Sequence, residues 1–419
     1  MTRILMIADS ADPTVQIGYE RFGGMTIYIQ NLATELVKSN IQVDVYTLWE
    51  GQGGNQVIED GPNLRYIRIP TDRTHSFHQG ITSYVASQNL KYDIVHSNFY
   101  IAGIAGIEVA KKLKLPHVYV YHAYGIAKLN VLNDLGIENT DMSLQKRIEA
   151  ELAIAKRVKN IIATSPVEKA TLEKLYKIER NNMTIIPLGV DTKLFNPTST
   201  KRARQLLNLQ KDHKILLFVG RIDERKGLKT LFKSFKLIQK GTKMHLLIVG
   251  GNISYINQLK KLAKKLEIEN KISYIGLVDQ KELPIYYSAA DVCVVPSYYE
   301  PFGIVPLEAM ACGTPVVASK TGGLKFTIEE DKTGYLAIPG NAEDLAQKLE
   351  KALKCGKKYF QQNCLKRIDD NFLWNQIARE YQLYYQQTID MFKFEQARRQ
   401  KTGIKPISPL APYQINKQN

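Results

Sequence analysis

Cysteine is scarce in this chain of 419 residues, and the four that occur are scattered: Cys293, Cys312, Cys355 and Cys364. No pair has the close C-x-x-C spacing of a zinc or redox site, so a disulfide scaffold is excluded and reduced thiols are expected. A signal peptide is also not expected, because only Ile4 to Ala8 are apolar before Asp9. No stretch approaches the roughly 18 uncharged apolar residues of a membrane span. These absences predict a cytoplasmic protein.

The chain carries an excess of positive charge, with 57 Lys and Arg against 41 Asp and Glu and a net charge of +16. Such a charge favours nucleic acid, an anionic membrane surface or an acidic small molecule as partner, without choosing among them. A hydrophobic content of 44% with 23% charged residues is typical of a globular protein and excludes wholesale disorder. At about 150 residues per domain, the length predicts two or three domains.

Short, continuously apolar runs alternate with amphipathic segments from the first residue onward, so the predicted order of strands and helices is βαβα throughout. Continuous apolar character is typical of strands covered on both faces, so the alternation predicts an α/β fold with doubly wound parallel sheets. The predicted strands are Arg3–Ala8, Ile41–Leu48, Asp93–Ser97, His117–Tyr121, Asn160–Ser165, Lys214–Gly220, His245–Gly250, Lys271–Gly276, Asp291–Pro296 and Pro315–Ser319. The predicted helices include Thr26–Lys38, Leu144–Lys159, Lys226–Lys240 and Phe372–Lys393.

A break in this pattern predicts two similar α/β domains with a cleft between them. Pro187–Asp191 ends the first series of strands, and Asn196–Thr200 is a turn-rich linker before the second. After Asp370 the strands stop, and one long helix is followed by a basic segment. The predicted units are a first domain at 1–195, a second domain at 196–370, a helix at 371–394 and a mobile basic tail at 395–419.

The most specific motif runs from Glu300 to Glu308 and reads Glu-Pro-Phe-Gly-Ile-Val-Pro-Leu-Glu. It follows a predicted strand, at the carboxyl edge of the sheet where ligands bind in such folds. Pro301 predicts the start of a helix, and the free N–H groups of the next three residues predict a site for an anion or hydroxyl. The two carboxylates, about 10 Å apart on such a helix, suit different parts of an extended ligand. A helix with an N-terminal acid and a second, exposed acid is the structural alternative.

Two further motifs follow predicted strands. Arg221 and Lys226 straddle a turn and form a suitable pair for a diphosphate, although two solvated loop cations are the alternative. Gly23-Gly24 precedes a predicted helix, where backbone N–H groups can approach phosphate or sugar, or where the glycines simply form a tight turn. The G-x-G-x-x-G pattern is absent from this turn, which disfavours hydride transfer. An Asp-x-Asp motif that could carry a metal against a diphosphate is absent from the chain as well.

His122 follows a predicted strand of the first domain, where a histidine is catalytic about as often as it is structural. His96 ends another strand, and no histidines have metal-ligand spacing. Lysines also recur at helical spacing. Solvated outer helix faces explain them most simply, and an anionic membrane or polyanionic acceptor is the alternative. These lysines are Lys229, Lys233, Lys236 and Lys240, with a second cluster at Lys260, Lys261, Lys264 and Lys265.

Together these motifs resemble glycosyltransferase family 4, retaining enzymes of the GT-B fold with two Rossmann-like domains and a C-terminal helix that crosses back onto the first. The resemblance implies transfer of a hexosyl unit, such as glucose or N-acetylglucosamine, from a nucleoside diphosphate sugar to a hydroxyl. It covers nearly the whole chain, through Gly23-Gly24-Met25, Ile185–Asp191, Phe218–Arg221, Lys226-Gly227, Glu300–Glu308 and Ala311–Ala318.

The resemblance also implies a role for each matching residue. Arg221 and Lys226 would hold the donor diphosphate, and Glu308 the ribose hydroxyls. Glu300 and the backbone after it would grip the transferred sugar, with His122 hydrogen-bonding the sugar from the other domain. The implied catalytic residues are His122, Glu300, Arg221 and Lys226. The further implied donor contacts are Gln16, Gly23, Gly24, Gly276, Val278, Phe302, Gly303, Ile304 and Glu308.

Within the family, His96-Ser97 and His122–Gly125 look closest to the branch of sucrose-phosphate synthase and D-inositol-3-phosphate glycosyltransferase. Those enzymes use phosphorylated acceptors, and Arg147 matches a phosphate-contacting arginine of that branch. Phe99 lacks the hydroxyl of the tyrosine expected there, and Ala123 replaces a threonine. The lost hydrogen bonds disfavour a phosphorylated cyclitol as acceptor.

The resemblance favours UDP as the nucleotide and a reaction that needs no metal or other cofactor. The expected acceptor is a small molecule, a sugar phosphate, a lipid-linked molecule or a glycan. Nucleic acid is not expected, because no recognised binding motif is present. A nucleotide-sugar epimerase of the same fold, a non-catalytic sugar-binding protein and a polyanion-binding module are the alternatives. The expected location is cytoplasmic, with peripheral contact at the inner face of a membrane as a further hypothesis.

Overall fold

The computed structural model describes residues 1–12, 23–49, 56–70, 76–138, 142–238, 243–251 and 253–402. The predicted donor contact Gln16 lies outside the described residues, as does the predicted tail from residue 403 onward. The described residues form two sheets, one of eight strands and one of six.

The first sheet is parallel except for one antiparallel strand at its edge. Its strands are β1 (Arg3–Ala8), β2 (Gln42–Trp49), β3 (Gln56–Glu59), β4 (Leu64–Pro70), β5 (Ile94–Asn98), β6 (His117–Val120), β7 (Asn160–Ala163) and β8 (Met183–Ile185). They are arranged in the order β3-β4-β2-β1-β5-β6-β7-β8, with β3 antiparallel to β4. The helices of this domain are α1 (Gly24–Val37), α2 (Phe77–Ser87), α3 (Phe99–Leu113), α4 (Gly125–Asp134), α5 (Met142–Arg157) and α6 (Pro166–Tyr176).

The second sheet is entirely parallel among the described strands. Its strands are β9 (Lys214–Val219), β10 (Met244–Val249), β11 (Ile272–Gly276), β12 (Val292–Val295), β13 (Val316–Ser319) and β14 (Gly334–Ala337), in the order β11-β10-β9-β12-β13-β14. Its helices are α7 (Thr200–Leu206), α8 (Leu228–Leu237), α9 (Ile253–Lys265), α10 (Leu283–Ala289), α11 (Ile304–Ala311), α12 (Leu324–Thr327), α13 (Ala342–Cys355) and α14 (Lys357–Asn371).

These sheets confirm the predicted α/β fold of two Rossmann-like domains. The central strands are buried on both faces, as their continuous apolar sequences predict; residues 4–8 of β1, for example, have no exposed surface. The predicted strict alternation of strands and helices is wrong, since β2, β3 and β4 follow one another without a helix. The sequence analysis missed β3, β4, β8 and β14, which are short or interrupted by charged residues.

The carboxyl edges of the two sheets face each other. Tyr124, just after β6, exchanges two hydrogen bonds with the hydroxyl of Tyr299, which follows β12: the Tyr124 N–H donates to the hydroxyl at 2.9 Å, and the hydroxyl donates to the Tyr124 carbonyl at 3.2 Å. Gly24 lies so near Ile304 that a Cβ there would be 3.0 Å from the Ile304 Cδ1 atom. Loops at the two edges therefore meet, and the ligand-binding edge of each domain lines one cleft.

The chain crosses between the domains at two adjacent segments. The N–H of Val190 donates to the carbonyl of Phe372 at 2.9 Å, and a helix, α15 (Trp374–Thr402), begins two residues later and packs on α1. The predicted crossing helix is confirmed, but its predicted end at residue 394 is wrong. Residues 395–402 continue the helix because Glu, Gln, Ala, Arg and Lys there all favour it. Within the described part of the chain, no helix combines the length and apolar character needed to cross a membrane.

Candidate active site

The loop after β12 lies at the cleft and carries the Glu300 motif. Helix α11 begins at Ile304, so Pro301 does not start it, contrary to the prediction. The carbonyls of Glu300 and Pro301 instead accept hydrogen bonds from the N–H of Gly323, each at 3.0 Å. Gly303 has φ +102° and caps the helix, a backbone conformation that glycine adopts readily. The loop is thus held against the turn at Gly322-Gly323 before the chain enters α11.

The backbone N–H groups at the start of α11 are free. Those of Phe302, Gly303 and Ile304 make no hydrogen bond with another residue of the described ranges. They lie at the N-terminus of a helix, where unpaired N–H groups and the helix dipole favour negative charge or a hydroxyl oxygen. An anion or hydroxyl site at these groups stays a prediction, and the helix starts three residues later than expected.

Lys226 and Glu300 meet in the cleft, 74 residues apart in sequence. The Lys226 ammonium donates to Glu300 Oε2 at 2.6 Å, and both side chains are mostly buried. Strands β9 and β12 are neighbours in the sheet, and this neighbourhood brings the two motifs together. Arg221, after β9, is exposed and has no ion pair or hydrogen bond among the described residues. One free guanidinium and one ordered ammonium thus lie on the same edge.

Gly227 fixes the direction of the chain beside Lys226. Its φ is +70°, and a Cβ there would lie 1.9 Å from the Pro296 carbonyl oxygen at the end of β12. The N–H of Gly227 donates to the Glu224 carbonyl and closes the short 3₁₀ turn that presents Lys226. No other residue type fits both the conformation and the space.

We expect Gly227→Ala to lower the melting temperature more than Gly136→Ala does. Gly136 has a similar φ of +67°, but no atom lies within 4 Å of the position that a Cβ would take, so its substitution costs only the conformational penalty of about 1–2 kcal/mol. Gly227→Ala adds a steric clash with backbone. Differential scanning fluorimetry of the two variants measures this difference, and equal shifts in the two variants would contradict the packing argument.

Glu308 is buried rather than exposed. Only 4% of its surface is accessible, and the Tyr287 hydroxyl donates to its Oε2 at 2.7 Å. Burial raises the pKa of Glu308 to about 7, against the opposing hydrogen bonds from Tyr287 and Gln280. It lies in the second turn of α11, which excludes the alternative of a solvated surface acid. Burying a carboxylate costs free energy unless it accepts hydrogen bonds from a ligand or from the core.

The remaining donor contacts predicted in the second domain are at the end of β11. Gly276 has φ +87°, and its carbonyl accepts a hydrogen bond from the N–H of Gly250 at 2.8 Å. Leu277 is 63% exposed, and Val278 is partly buried against the core. In the first domain, Gly23 caps α1 and Gly24 begins it, so the glycines lie at the helix N-terminus as predicted, while the helix starts two residues earlier than the predicted Thr26. Contacts of all these residues with a base, a phosphate or a sugar stay predictions.

His122 lies beyond β6 with an unusual backbone and a defined tautomer. The Asn98 amide donates to the Ile7 carbonyl at 3.4 Å, so its Oδ1 is left to accept from His122 Nε2, 2.9 Å away. His122 Nε2 therefore carries the proton, and the Nδ1 lone pair accepts no hydrogen bond from another residue of the described ranges. Burial lowers the pKa of His122 to about 3, which keeps the ring neutral near pH 7. A neutral imidazole here accepts a hydrogen bond and does not supply a positive charge.

Arg147 is held by two neighbours in the first domain, Glu151 and Phe99. Its Nε donates to Glu151 Oε1 at 2.6 Å, and its guanidinium lies 4.5 Å from the Phe99 ring centroid. Its Nη2 is buried without a hydrogen-bond partner. Glu151 is fully buried and also accepts hydrogen bonds from the Gly125 N–H, at 2.7 Å, and the Tyr176 hydroxyl. Phe99 and Arg147 therefore lie together, as the predicted acceptor set requires, while Ala123 lies one residue beyond His122.

The sequence analysis missed several residues that shape the site. Asn98 and His122 end or follow neighbouring strands β5 and β6, so strand order would have paired them. Glu151 lies four residues after Arg147 on α5, a spacing that itself predicts a helical ion pair. Tyr299 and the pair Gly322-Gly323 had no local signal beyond their nearness to sheet edges.

The fold and this site together define a glycosyltransferase of the GT-B class. The family model for glycosyl transferases group 1 matches residues 199–366, and that for glycosyltransferase family 4 matches residues 22–194. The chain belongs to glycosyltransferase family 4, and it is an enzyme that transfers a sugar to an acceptor.

Individual relatives cover most of the chain. Mannosylfructose-phosphate synthase from Agrobacterium fabrum is 29% identical over 394 residues, 87% of this chain and 86% of that protein. D-inositol 3-phosphate glycosyltransferase from an Arthrobacter species is 30% identical over 365 residues, 83% of this chain and 86% of that protein. The structure of sucrose-phosphate synthase from Thermosynechococcus elongatus has 32% identity and a TM-score of 0.83, covering 93% of this chain and 100% of that one. The predicted family and fold are confirmed.

Proposed function

We propose that this enzyme moves a hexosyl unit, glucose, N-acetylglucosamine or a similar sugar, from a nucleoside diphosphate sugar to a hydroxyl acceptor with retention of anomeric configuration. The observation that carries the proposal is the cleft edge of the second domain. There the Lys226–Glu300 ion pair lies beside the free N–H groups of residues 302–304, and Arg221 follows the neighbouring strand.

This edge suits the donor of such a reaction. Negative charge grows on the diphosphate as it leaves the anomeric carbon, and a guanidinium, an ammonium and helix N–H groups stabilise that charge when they are held in place beforehand. The Glu300 carboxylate accepts hydrogen bonds from sugar hydroxyls, and the N–H groups donate to sugar oxygens. Glu308 accepts hydrogen bonds from the ribose hydroxyls. Because side chains supply the positive charge, the proposed reaction needs no metal. UDP is the proposed nucleotide, on the resemblance alone.

The proposed retention of anomeric configuration results from attack and departure on the same face of the sugar. The acceptor hydroxyl attacks the face that the diphosphate leaves, and a departing diphosphate oxygen takes its proton. The neutral His122 ring supports this proposal because its Nδ1 can accept a hydrogen bond from the transferred sugar. His122 is too weak a base, at a pKa of about 3, to take the hydroxyl proton itself.

For the acceptor we propose a small phosphorylated molecule. Two of the three relatives are named as synthases of phosphorylated products, mannosylfructose phosphate and sucrose phosphate, and the third as a glycosyltransferase of D-inositol 3-phosphate. In this chain the unpartnered Arg147 Nη2 supports a contact with an acceptor oxygen. Phe99 occupies the guanidinium face instead of offering a hydroxyl, which favours an acceptor other than a cyclitol phosphate. Binding to an anionic membrane stays a second hypothesis. It ranks below a phosphorylated acceptor because two of the lysines that would carry it, Lys229 and Lys236, are already ion-paired with Glu224 and Glu267.

The donor proposal predicts a stabilised protein in the presence of one nucleotide family. UDP, GDP, ADP and TDP and their hexose conjugates are screened by thermal shift, with and without EDTA. A ligand at about 100 times its Kd adds about 2.7 kcal/mol to the free energy of unfolding, which is readily visible as a higher melting temperature. We expect UDP and a UDP-hexose to give the shift. NMR of the anomeric proton of the product then tests retention.

The matched variants are Arg221→Ala and Arg225→Ala. Arg225 is a neighbouring cation that is already bound to Asp223 at 2.7 Å, so its loss is expected to leave the shift unchanged. Arg221→Ala is expected to reduce it. No shift with any nucleotide, or equal shifts in both variants, would refute the donor site.

A further inference from the structure

His122 is held in a strained turn. Its φ is +59°, and the N–H of Ala123 donates to the carbonyl of Tyr121 at 2.7 Å, which closes a three-residue γ-turn. A non-glycine residue with this backbone costs of order 1–3 kcal/mol and persists only where its surroundings determine it. Such strain is often found at functional sites.

Two side chains hold the imidazole ring. Asn98 fixes Nε2 by the hydrogen bond described above. From another direction, the ring of Tyr28 on α1 meets the imidazole edge-on, with ring centroids 4.6 Å apart and planes at 68°. An edge-to-face contact of this kind adds about 0.5–1.5 kcal/mol to the burial of the two rings and has a preferred geometry. The two contacts together restrict rotation of the imidazole.

Tyr28 is in turn held by the helix that joins the domains. It is fully buried, and its hydroxyl donates to the Tyr381 hydroxyl at 2.7 Å. The Tyr28 ring also lies 5.9 Å from that of Trp374, the first residue of α15. Trp374 follows directly after Phe372 and Leu373, where the chain crosses from the second domain. A continuous set of contacts therefore leads from the crossing to His122.

We propose that Tyr28 is a positioning residue for His122: its ring sets the direction of the imidazole, and Tyr381 sets the ring. This inference rests on the proposed role of His122 toward the transferred sugar. Tyr28 itself touches no substrate. Its effect on the reaction passes through Nδ1 of His122, whose direction decides whether a hydrogen bond to the sugar forms as the diphosphate leaves. A small misplacement at such a point costs turnover more than donor binding.

The test compares kcat and the donor KM of Tyr28→Leu and Tyr28→Phe with those of the parent enzyme. Tyr28→Leu removes the ring edge, and we expect kcat to fall about 10-fold while KM changes less than about twofold, a loss on the scale of a small misorientation. Tyr28→Phe keeps the ring and loses only the hydrogen bond to Tyr381, so we expect it to recover most of the activity. Tyr46→Leu is the matched control for Tyr28→Leu, because Tyr46 is also fully buried and shares a hydroxyl–hydroxyl bond of 2.7 Å with another tyrosine, Tyr92. It is expected to lose a comparable amount of stability and no turnover.

The second readout is the combination with His122→Ala. If Tyr28 acts through His122, Tyr28→Leu lowers kcat no further when His122 is already alanine. A full additional loss of about 10-fold in the double variant would overturn the proposal, and so would equal losses of kcat in Tyr28→Leu and Tyr46→Leu. A His122→Ala enzyme with normal kcat would instead refute the proposed role of His122, and the inference with it. The two failures are thus distinguishable.

Discussion

Replacing Lys226 with alanine is expected to lower kcat at least ~100-fold, the scale of losing one group that stabilises transition-state charge. The ammonium is held by Glu300 at 2.6 Å, so it is already in place when a donor binds. An ordered charge in a partly buried site needs little reorganisation as the diphosphate leaves. Its removal also leaves the Glu300 carboxylate without its counter-ion beside the donor diphosphate. Steady-state kinetics with the donor identified by thermal shift measure the effect.

Two variants separate the loss of the ammonium from the repulsion that follows. Adding Glu300→Gln to Lys226→Ala removes the uncompensated Glu300 charge. We expect the donor KM to return part of the way to the parent value, while kcat stays low. Lys229→Ala is the matched control, since Lys229 is an exposed lysine three residues away with an ion pair to Glu224. It is expected to behave like the parent, because exposed ion pairs contribute little. A folded Lys226→Ala enzyme with near-normal kcat would rule out the assigned role.

The parts of the structure that could be predicted are those specified locally. The ten predicted strands occur within one or two residues of their predicted positions, because continuous apolar runs leave few alternatives to a buried strand. That the two motifs of the proposed donor site share one edge was predictable for a similar reason. Its groups lie within two short motifs, 220–227 and 300–308, and the order of strands in a parallel sheet places both motifs on one edge.

Strand β4 shows why other parts were missed. Its sequence contains Arg65 and Arg68, which look like loop residues when taken alone. In the fold Arg65 is neutralised by Asp44 on β2, and Arg68 by Asp12 beyond β1, both at 2.7 Å. These partners are 21 and 56 residues away, so no window of local sequence contains the information.

In the candidate site, too, some features are specified locally and others depend on residues that are distant in sequence. His122 could be predicted as a candidate site residue from its position after a strand. The contacts that orient it come from Asn98, 24 residues away, and from Tyr28 and the helix that holds Tyr28. Likewise Tyr124 meets Tyr299 across the cleft, 175 residues away. Motifs therefore locate the groups that are proposed to bind and react, and the nonlocal packing that sets their directions becomes visible only in the folded chain.

Glu308→Gln is expected to lower kcat/KM for the donor about 100-fold, mainly through KM. Each hydrogen bond from a ribose hydroxyl to a carboxylate contributes about 1.5–3 kcal/mol, and the amide keeps only one accepting oxygen. The same carboxylate predicts a pH dependence. Burial raises the pKa of Glu308 to about 7. In the proposed donor site the ribose hydroxyls bind the ionised form. Donor affinity is therefore full above about pH 8 and falls, by at most about tenfold per unit, as the pH drops below about 7.

Donor KM measured between about pH 6 and 8.5 for both enzymes tests this assignment. The parent should show the rise in KM at low pH, and Glu308→Gln should show none, because its side chain does not titrate. Stability gives the folding control. A carboxyl whose pKa rises on folding binds its proton more tightly in the folded state, so its contribution to stability decreases as the pH rises from about 4.5 to 7. The amide variant should accordingly be at least as stable as the parent at about pH 8. A flat donor KM in the parent, or the same rise in the amide variant, would assign the titration to another group and remove Glu308 from the ribose site.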